Sequence, residues 1–274
     1  MRNNNQGQIK TIVLDIDGTI TKEGDLVSPE TINILGKICI QNHLSLVFLT
    51  GRAFCLVKYI IDEFHNQFGD ISFIKGVLSE LGTRFTNNHG EEIWVRYLDI
   101  DTKSTLLKFL SPKKMFLFHG EKNGYYLYSD QESVLLSWEQ KFSKYGSQMF
   151  YLKSNDYKFL INLFLLDQKV SIIRTGSKLP KNCILDTTYN PKHNLWELSP
   201  LQSKKNGLIR YAIENNLSTR SILFAGNEPA DHSVFELNLG LSVYVGENSL
   251  ESLDYSLKYP SELLSLLQIL FPIK

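Results

Sequence analysis

Cysteine is scarce in this chain and an excess of either charge is absent. Its 274 residues contain only Cys39, Cys55 and Cys183. Three widely spaced cysteines do not form a disulfide framework, and no CxxC pair is present to begin a zinc site. Cys39 and Cys55 sit in apolar stretches, where cysteine acts as a small hydrophobe of a helical core. This usage fits a reducing compartment, so a cytoplasmic protein is expected. Basic and acidic residues both number 29, for a formal net charge of zero. A nucleic-acid partner is therefore not expected, because such proteins neutralise phosphates with a basic excess. The pairs Lys113–Lys114 and Lys204–Lys205 are too short to supply one. No apolar run approaches the roughly 20 residues needed to cross a bilayer, so no membrane partner is expected. The opening Met1–Gln8 is polar, lacks a signal-type apolar segment and reads as a frayed end. Internal repeats and low-complexity tracts are missing too.

What is present is an ordinary globular composition, 43% hydrophobic and 21% charged, enough for a sizeable core. Ile9–Leu14 is aliphatic and reads as a buried parallel strand ending at Asp15. Ser28-Pro29-Glu30 has the form of a helix start: a serine cap, proline at the first position, then an acid. That helix is expected to run to about Asn42. Leu44–Leu49 is a second buried strand, Ala53 to about Phe64 a helix, and Ile71–Leu78 a third strand. This alternation predicts a Rossmann-like, doubly wound α/β core with a parallel sheet. Thr83–Val95 then reads as a hairpin with a polar turn at Asn87–Gly90. From about Ile100 to Lys192 helices and strands mix. Helices are expected near Lys103–Leu110 and Glu132–Tyr145. Strands are expected at Met115–Phe118, Tyr125–Tyr128, Met149–Leu152, Phe159–Leu165 and Val170–Ile173. Alternation resumes near Leu195, with a helix over Lys204–Asn215, a strand at Ser221–Ala225, a helix at Ala230–Leu239, a strand at Leu241–Val245 and a terminal helix at Ser261–Leu270. The expected organisation is a core built from residues 1–98 and 193–274, interrupted by an inserted α+β cap domain at 99–192.

In an open α/β sheet, ligands bind beyond the carboxyl ends of the strands. The first strand delivers Asp15, Asp17, Gly18 and Thr19 there. The second delivers Thr50, Gly51 and Arg52. The strand at Ser221–Ala225 delivers Gly226, Asn227, Glu228 and, a turn later, Asp231. Taken singly, each of these groups is an ordinary loop or a helix cap. Taken together and in this order, they place acids, a hydroxyl and amides on one edge.

In that combination the chain resembles the haloacid dehalogenase superfamily of phosphohydrolases. Asp15-Ile16-Asp17-Gly18-Thr19 matches the family's Asp-x-Asp-Gly-Thr. Thr50-Gly51-Arg52 resembles its second motif, and Ser203-Lys204-Lys205 its third. Gly226-Asn227-Glu228-Pro229-Ala230-Asp231 resembles the fourth in part. An insertion between the second and third motifs is similar to the subclass that includes sucrose- and trehalose-phosphate phosphatases. Ser79–Phe85, Leu241–Gly246 and the Pro260–Leu264 helix also look like that group.

The resemblance implies a magnesium-dependent phosphatase acting on a small phosphate ester, a sugar phosphate above all. It makes Asp15 the nucleophile and Asp17 the acid and base. Thr50 and Gly51 become donors to the phosphoryl oxygens, and Lys204 the ammonium beside Asp15. Lys205 is the rival, but Lys204 puts Leu208 and Tyr211 on one helical face. Magnesium would be held by Asp15, the Asp17 carbonyl, Asn227 and Asp231. Asn227 departs from the family pattern, which has aspartate there. A neutral amide lowers the expected metal affinity unless Glu228 or Asp231 compensates, and Ala230 is a further departure. The second reading is therefore a weakened member that binds a phosphorylated ligand or partner without efficient turnover. Other phosphate esters, such as nucleotides or cofactor precursors, and phosphomutase chemistry are further alternatives. In the cap, His119, Tyr125, Tyr126, Lys158 and Asn162 are the specificity candidates, although a Tyr125–Tyr126 pair in a strand usually packs. His43, His65, His193 and His232 show no metal-ligand spacing.

Overall fold

The computed structural model describes residues 9–22, 24–120, 125–145, 151–177, 185–190, 194–200, 203–247 and 253–273. Cys183, His193 and the polar opening lie outside the described residues. The chain divides into two compact units. One comprises Met1–Gly51, Val57–Ile93 and Lys204–Lys274, the other Arg52–Leu56 and Trp94–Ser203.

The sheet of the first unit has the order β14-β13-β12-β1-β2-β3-β4-β5. Its strands are β1 (Thr11–Leu14), β2 (Ser45–Leu49), β3 (Ile74–Ser79), β4 (Arg84–Asn87), β5 (Glu92–Val95), β12 (Ile222–Gly226), β13 (Leu241–Val245) and β14 (Tyr255–Leu257). From β14 to β3 neighbours are parallel, and β4 returns antiparallel to β3. The central strands are buried on both faces, and Ile12, Val13, Leu14, Phe48, Leu223 and Phe224 are fully enclosed. Continuous apolar strands of this kind need helices on both faces. Helix α1 (Pro29–Gln41) starts where the Ser28 hydroxyl accepts the Thr31 amide. It packs against α2 (Lys58–Phe68) and α8 (Pro260–Leu270). Rings of Phe48, Phe64, Phe68 and Phe73 interlock under α2 at centroid distances of 5.8–6.4 Å.

Two helices of this unit differ from the sequence reading. The stretch before α2 is a short 3-10 turn, Phe54–Leu56, and the helix begins only at Lys58. The helix expected over Ala230–Leu239 is a 3-10 turn at Pro229–Asp231 followed by a single turn, α7 (His232–Phe235). It stops because the chain must turn back into β13, and the Gly240 amide is taken by the carbonyls of Thr219 and Ile222.

The second unit holds a sheet of order β10-β11-β9-β6-β7-β8. Its strands are β6 (Phe116–His119), β7 (Tyr125–Tyr128), β8 (Tyr151–Ser154), β9 (Ile172–Thr175), β10 (Asp186–Asn190) and β11 (Leu195–Ser199). All pairings are antiparallel except β7 with β8. Helices α3 (Ile100–Leu107) and α5 (Tyr157–Leu166) share a core with Phe116, Phe118, Tyr126 and Ile173. On the other face Leu117, Tyr125 and Leu127 pack with Leu135 of α4 (Glu132–Ser143) and with Ala53 and Leu56.

Phe159–Leu165, expected as a strand, is the body of α5. Asp156 caps it by accepting the Phe159 amide at 3.0 Å, and Leu160 and Phe164, four apart, are fully buried. A short apolar run does not distinguish strand from helix, and here the cap decides. Leu195–Ser199, read as part of the flanking α/β layer, instead pairs with β9 and β10, so the second unit extends to Ser203.

Candidate functional site

Strands β2, β1 and β12 lie side by side and run the same way, with Leu14 in register with Phe48 and Ala225. Asp15, Thr50 and Asn227 therefore leave the sheet at one edge, as the sequence order required. The Asp15 amide continues the ladder by donating to the Ala225 carbonyl at 2.9 Å. Its carboxylate, 1% exposed, is where the other groups meet. Lys204 opens α6 (Ser203–Glu214) and reaches it from the side. The Lys204 ammonium donates to Asp15 Oδ1 at 3.0 Å and to Asp231 Oδ1 at 2.8 Å. Lys205 turns the other way, to the exposed Glu236 at 2.8 Å. Leu208 and Tyr211, buried on the same face of α6, anchor the helix in that rotation.

Asp231 is fully buried and uses both oxygens within the fold. Oδ1 faces Lys204, while Oδ2 accepts the amides of Asn227 and Glu228 at 3.0 and 2.9 Å. The sequence reading put Asp231 among metal ligands. The geometry gives it to the ammonium and to the loop that carries Asn227. Among the described residues, no cluster of three His, Cys, Asp or Glu side chains has metal-binding spacing.

Thr19 joins the two ends of the site. Its hydroxyl lies 3.3 Å from Asp15 Oδ2 and 3.1 Å from Asn227 Oδ1. Gly18 makes this approach possible. Its φ is +78°, strained for any residue with a side chain, and a Cβ there would stand 2.0 Å from Asn227 Nδ2 and displace it, so glycine is favoured. Asp17, half-buried, accepts the Gly24 amide at 2.6 Å. The Gly18 amide donates to the Thr21 carbonyl at 2.8 Å, closing the turn. Thr50 is buried, its amide on the Leu78 carbonyl and its own carbonyl accepting from Leu81, each at 2.9 Å. Gly51 follows as the last residue of its segment in the first unit.

Charge explains the electrostatics of this edge. Burial pushes the Asp15 carboxyl up from 3.8 to about 7; Lys204 opposes this, and Asp231 and Asp17 add to it. Burial pulls Lys204 down, yet Asp15, Asp231 and Glu228 together carry it above the usual lysine range. The two directions agree once the sharing is counted: one ammonium serves two carboxylates, so it is held firmly while Asp15 is only partly compensated. The residual negative charge sits among hard oxygen donors, Asp15 and Asn227 Oδ1, both already on the Thr19 hydroxyl. Magnesium takes such oxygens, needs few protein ligands and keeps its waters, so the donor set fits that ion.

The role of Thr19 was not read from the sequence, although the residue stands inside the first motif. Glu228, whose charge acts on Lys204, was read only as a possible substitute ligand. Of the proposed specificity residues, Tyr126 is buried and stacks on Phe118 with centroids 4.7 Å apart. The Tyr125 hydroxyl accepts the Ala53 amide at 3.0 Å, and Arg174, which pairs with Glu197 at 2.5 Å, also bonds it. Lys158 and Asn162 are exposed on α5.

Solved structures of other proteins share this fold. A structure of a haloacid dehalogenase-like hydrolase from Bacillus subtilis superposes with a TM-score of 0.73 at 20% identity, covering 97% of this chain and 100% of its own. One from Bacteroides thetaiotaomicron, also described as a haloacid dehalogenase-like hydrolase, gives 0.70 at 19% identity over 96% and 100%. A sugar phosphatase of subclass IIB of that superfamily gives 0.72 at 16% identity over 97% and 100%. These likenesses establish the shared fold. A comparison with curated sequences gave no match. The family model for haloacid dehalogenase-like hydrolases, by contrast, runs through residues 12–255, from β1 through all three strand-end clusters and the Lys204 helix start. The chain belongs to the haloacid dehalogenase-like hydrolases.

Proposed function

We propose that this chain is a phosphatase that hydrolyses a small phosphate monoester, a sugar phosphate by preference, through a covalent intermediate on Asp15. One observation carries the reading: a buried carboxylate shares a single ammonium with a second carboxylate at the C-terminal edge of a parallel sheet. Family membership and the likeness to a sugar phosphatase support it.

An Asp15 oxygen attacks phosphorus and the ester P–O bond breaks. Asp17 gives its proton to the departing alkoxide. Water then gives a proton to Asp17 and attacks phosphorus, and the bond to Asp15 breaks, releasing phosphate. Lys204 keeps Asp15 oriented and offers charge to the phosphoryl oxygens, while Asp231 holds Lys204 in place. The Thr50 hydroxyl and Gly51 amide donate to those oxygens. Asp15, the Asp17 carbonyl and Asn227, with Asp231 behind them, would hold a magnesium ion, which when bound offsets repulsion between the carboxylate and an anionic phosphoryl group. The core expected at 1–98 and 193–274 and the cap expected at 99–192 keep those roles in this proposal, carried by the first unit and by the second, Arg52–Leu56 with Trp94–Ser203.

The test is phosphate release from a panel of phosphate esters with magnesium. Wild type is expected to turn over, and Asp15→Asn to lose at least about a thousandfold in kcat, as for loss of a covalent nucleophile. Release that survives in Asp15→Asn overturns the covalent step. Asn227 favours one second reading, a protein that binds a phosphorylated ligand without turnover. Tight binding by a wild type that releases no phosphate would select it.

A further inference from the structure

Between β3 and β4 the backbone makes a turn that a hairpin does not need. Glu80, Leu81 and Gly82 all lie in the left-handed region, with φ of +54°, +58° and +78°. Glycine accepts that conformation freely, but glutamate and leucine do not, so two strained residues stand side by side. Both are buried: Glu80 is 0% and Leu81 4% exposed. Burying a glutamate demands a partner. The Arg84 guanidinium supplies it at 3.1 Å, with both side chains fully enclosed, and also meets Glu92. The Thr83 hydroxyl donates to the Glu80 carbonyl at 2.8 Å, and the Gly82 amide to the Ser79 carbonyl at 2.9 Å. Buried ion pair and hydroxyl together fix an otherwise unfavourable turn.

The turn touches two parts of the site. On one side the Leu81 amide donates to the Thr50 carbonyl at 2.9 Å. On the other the Gly82 backbone abuts α6 at Gly207, where a Cβ would stand 2.3 Å from the Gly82 oxygen. Gly207 is three residues, about one helical turn, beyond Lys204. Phe85, just past the turn, meets Tyr211 of α6 with ring centroids 5.3 Å apart. An unstrained turn would satisfy the hairpin; this one spans the distance between a strand end and a helix start.

We infer that Glu80, Leu81 and Gly82 are positioning residues, a rigid buried turn that sets the spacing of Thr50 and Lys204 across the phosphoryl site. This deepens the phosphatase reading and rests on the roles given there to Thr50 and Lys204. Moving the turn shifts hydroxyl and ammonium relative to Asp15 together, and small misplacements of such groups are costly to the chemical step.

The test is Gly207→Ala, a wedge against Gly82, with Thr83→Val as a milder variant that keeps shape and loses one hydrogen bond. Amide hydrogen exchange is followed by mass spectrometry on the full chain, beside kcat and KM on a generic aryl phosphate with magnesium. In each variant that remains folded by circular dichroism, exchange is expected to quicken about tenfold, the equivalent of one decade in an opening equilibrium, at both Leu81 and the first turn of α6. kcat is expected to fall about tenfold with KM within about twofold, the pattern of a lost transition-state interaction. Exchange that quickens at only one of the two places, or an unchanged kcat despite exchange at both, overturns the inference. A wild type that hydrolyses no ester removes the phosphatase reading; exchange changes confined to one side then overturn the turn's role as well, and changes on both sides uphold it.

Discussion

Asp15 shows how one side chain ties stability to chemistry. Its folded pKa, raised to about 7 by burial, exceeds the unfolded value, so the native state holds a proton that the unfolded chain releases. Stability from that proton is complete below about pH 4 and is lost as pH rises through about 7. Metal-free protein is therefore expected to melt at a lower temperature at pH 8 than at pH 5, as read by calorimetry in a chelating buffer. Asp15→Asn is expected to flatten that dependence, and an unchanged slope in the variant would refute it. Gly18→Ala tests the Thr19–Asn227 junction. A left-handed alanine costs about 1–2 kcal/mol before any clash, and the clash with Asn227 adds to it, so a lower urea midpoint and lost turnover are expected. Asn227→Asp adds a charge where Oδ1 meets Thr19. Half-maximal phosphate release is expected at a lower magnesium concentration, and an unmoved titration would put Asn227 outside the metal shell.

Among the elements, α5 carries the clearest dependence on a remote side chain. Lys103 of α3, buried, donates to the carbonyls of Phe164, Leu165 and Asp167 at 3.3, 3.0 and 2.8 Å. Those carbonyls end a helix and lack intrahelical partners. Lys103→Met is expected to cost about 1–3 kcal/mol in chemical denaturation, the penalty of unsatisfied buried acceptors. The Tyr125 hydroxyl does similar work for the Phe54–Leu56 turn through the Ala53 amide. Tyr125→Phe keeps the ring and is expected to cost about 1 kcal/mol. Neither bond was legible in the sequence, because each joins residues more than sixty positions apart through one polar atom. The capped helix α1 was legible, because Ser28, Pro29 and Glu30 make its start from adjacent residues.

For the whole molecule, the first unit is assembled from both ends of the chain, and α8 closes it. Leu263, Leu267, Leu270 and Phe271 are buried there, and the Asn42 amide reaches the Pro272 carbonyl at 3.4 Å. Four such side chains contribute about 6–12 kcal/mol, comparable with the entire stability of a domain. A chain cut before Pro260 is expected to recover no cooperative unfolding transition by circular dichroism. A sharp, wild-type transition in that truncated chain would show that β1, β2 and β12 close their core without α8.

The strand ends were readable one by one because the parallel strands are apolar along their length and stop at polar residues. Local order thus determined the α/β class and the strand ends that carry Asp15, Asp17, Thr50, Gly51 and Asn227, while Lys204 was singled out only through the family resemblance. Only the tertiary structure decided between Lys204 and Lys205, turned Asp231 toward an ammonium, made Thr19 a bridge and converted Phe159–Leu165 from strand to helix. The physical reason is range. Periodicity and caps act between near neighbours, whereas the fate of a buried charge depends on which distant segment brings its counter-charge.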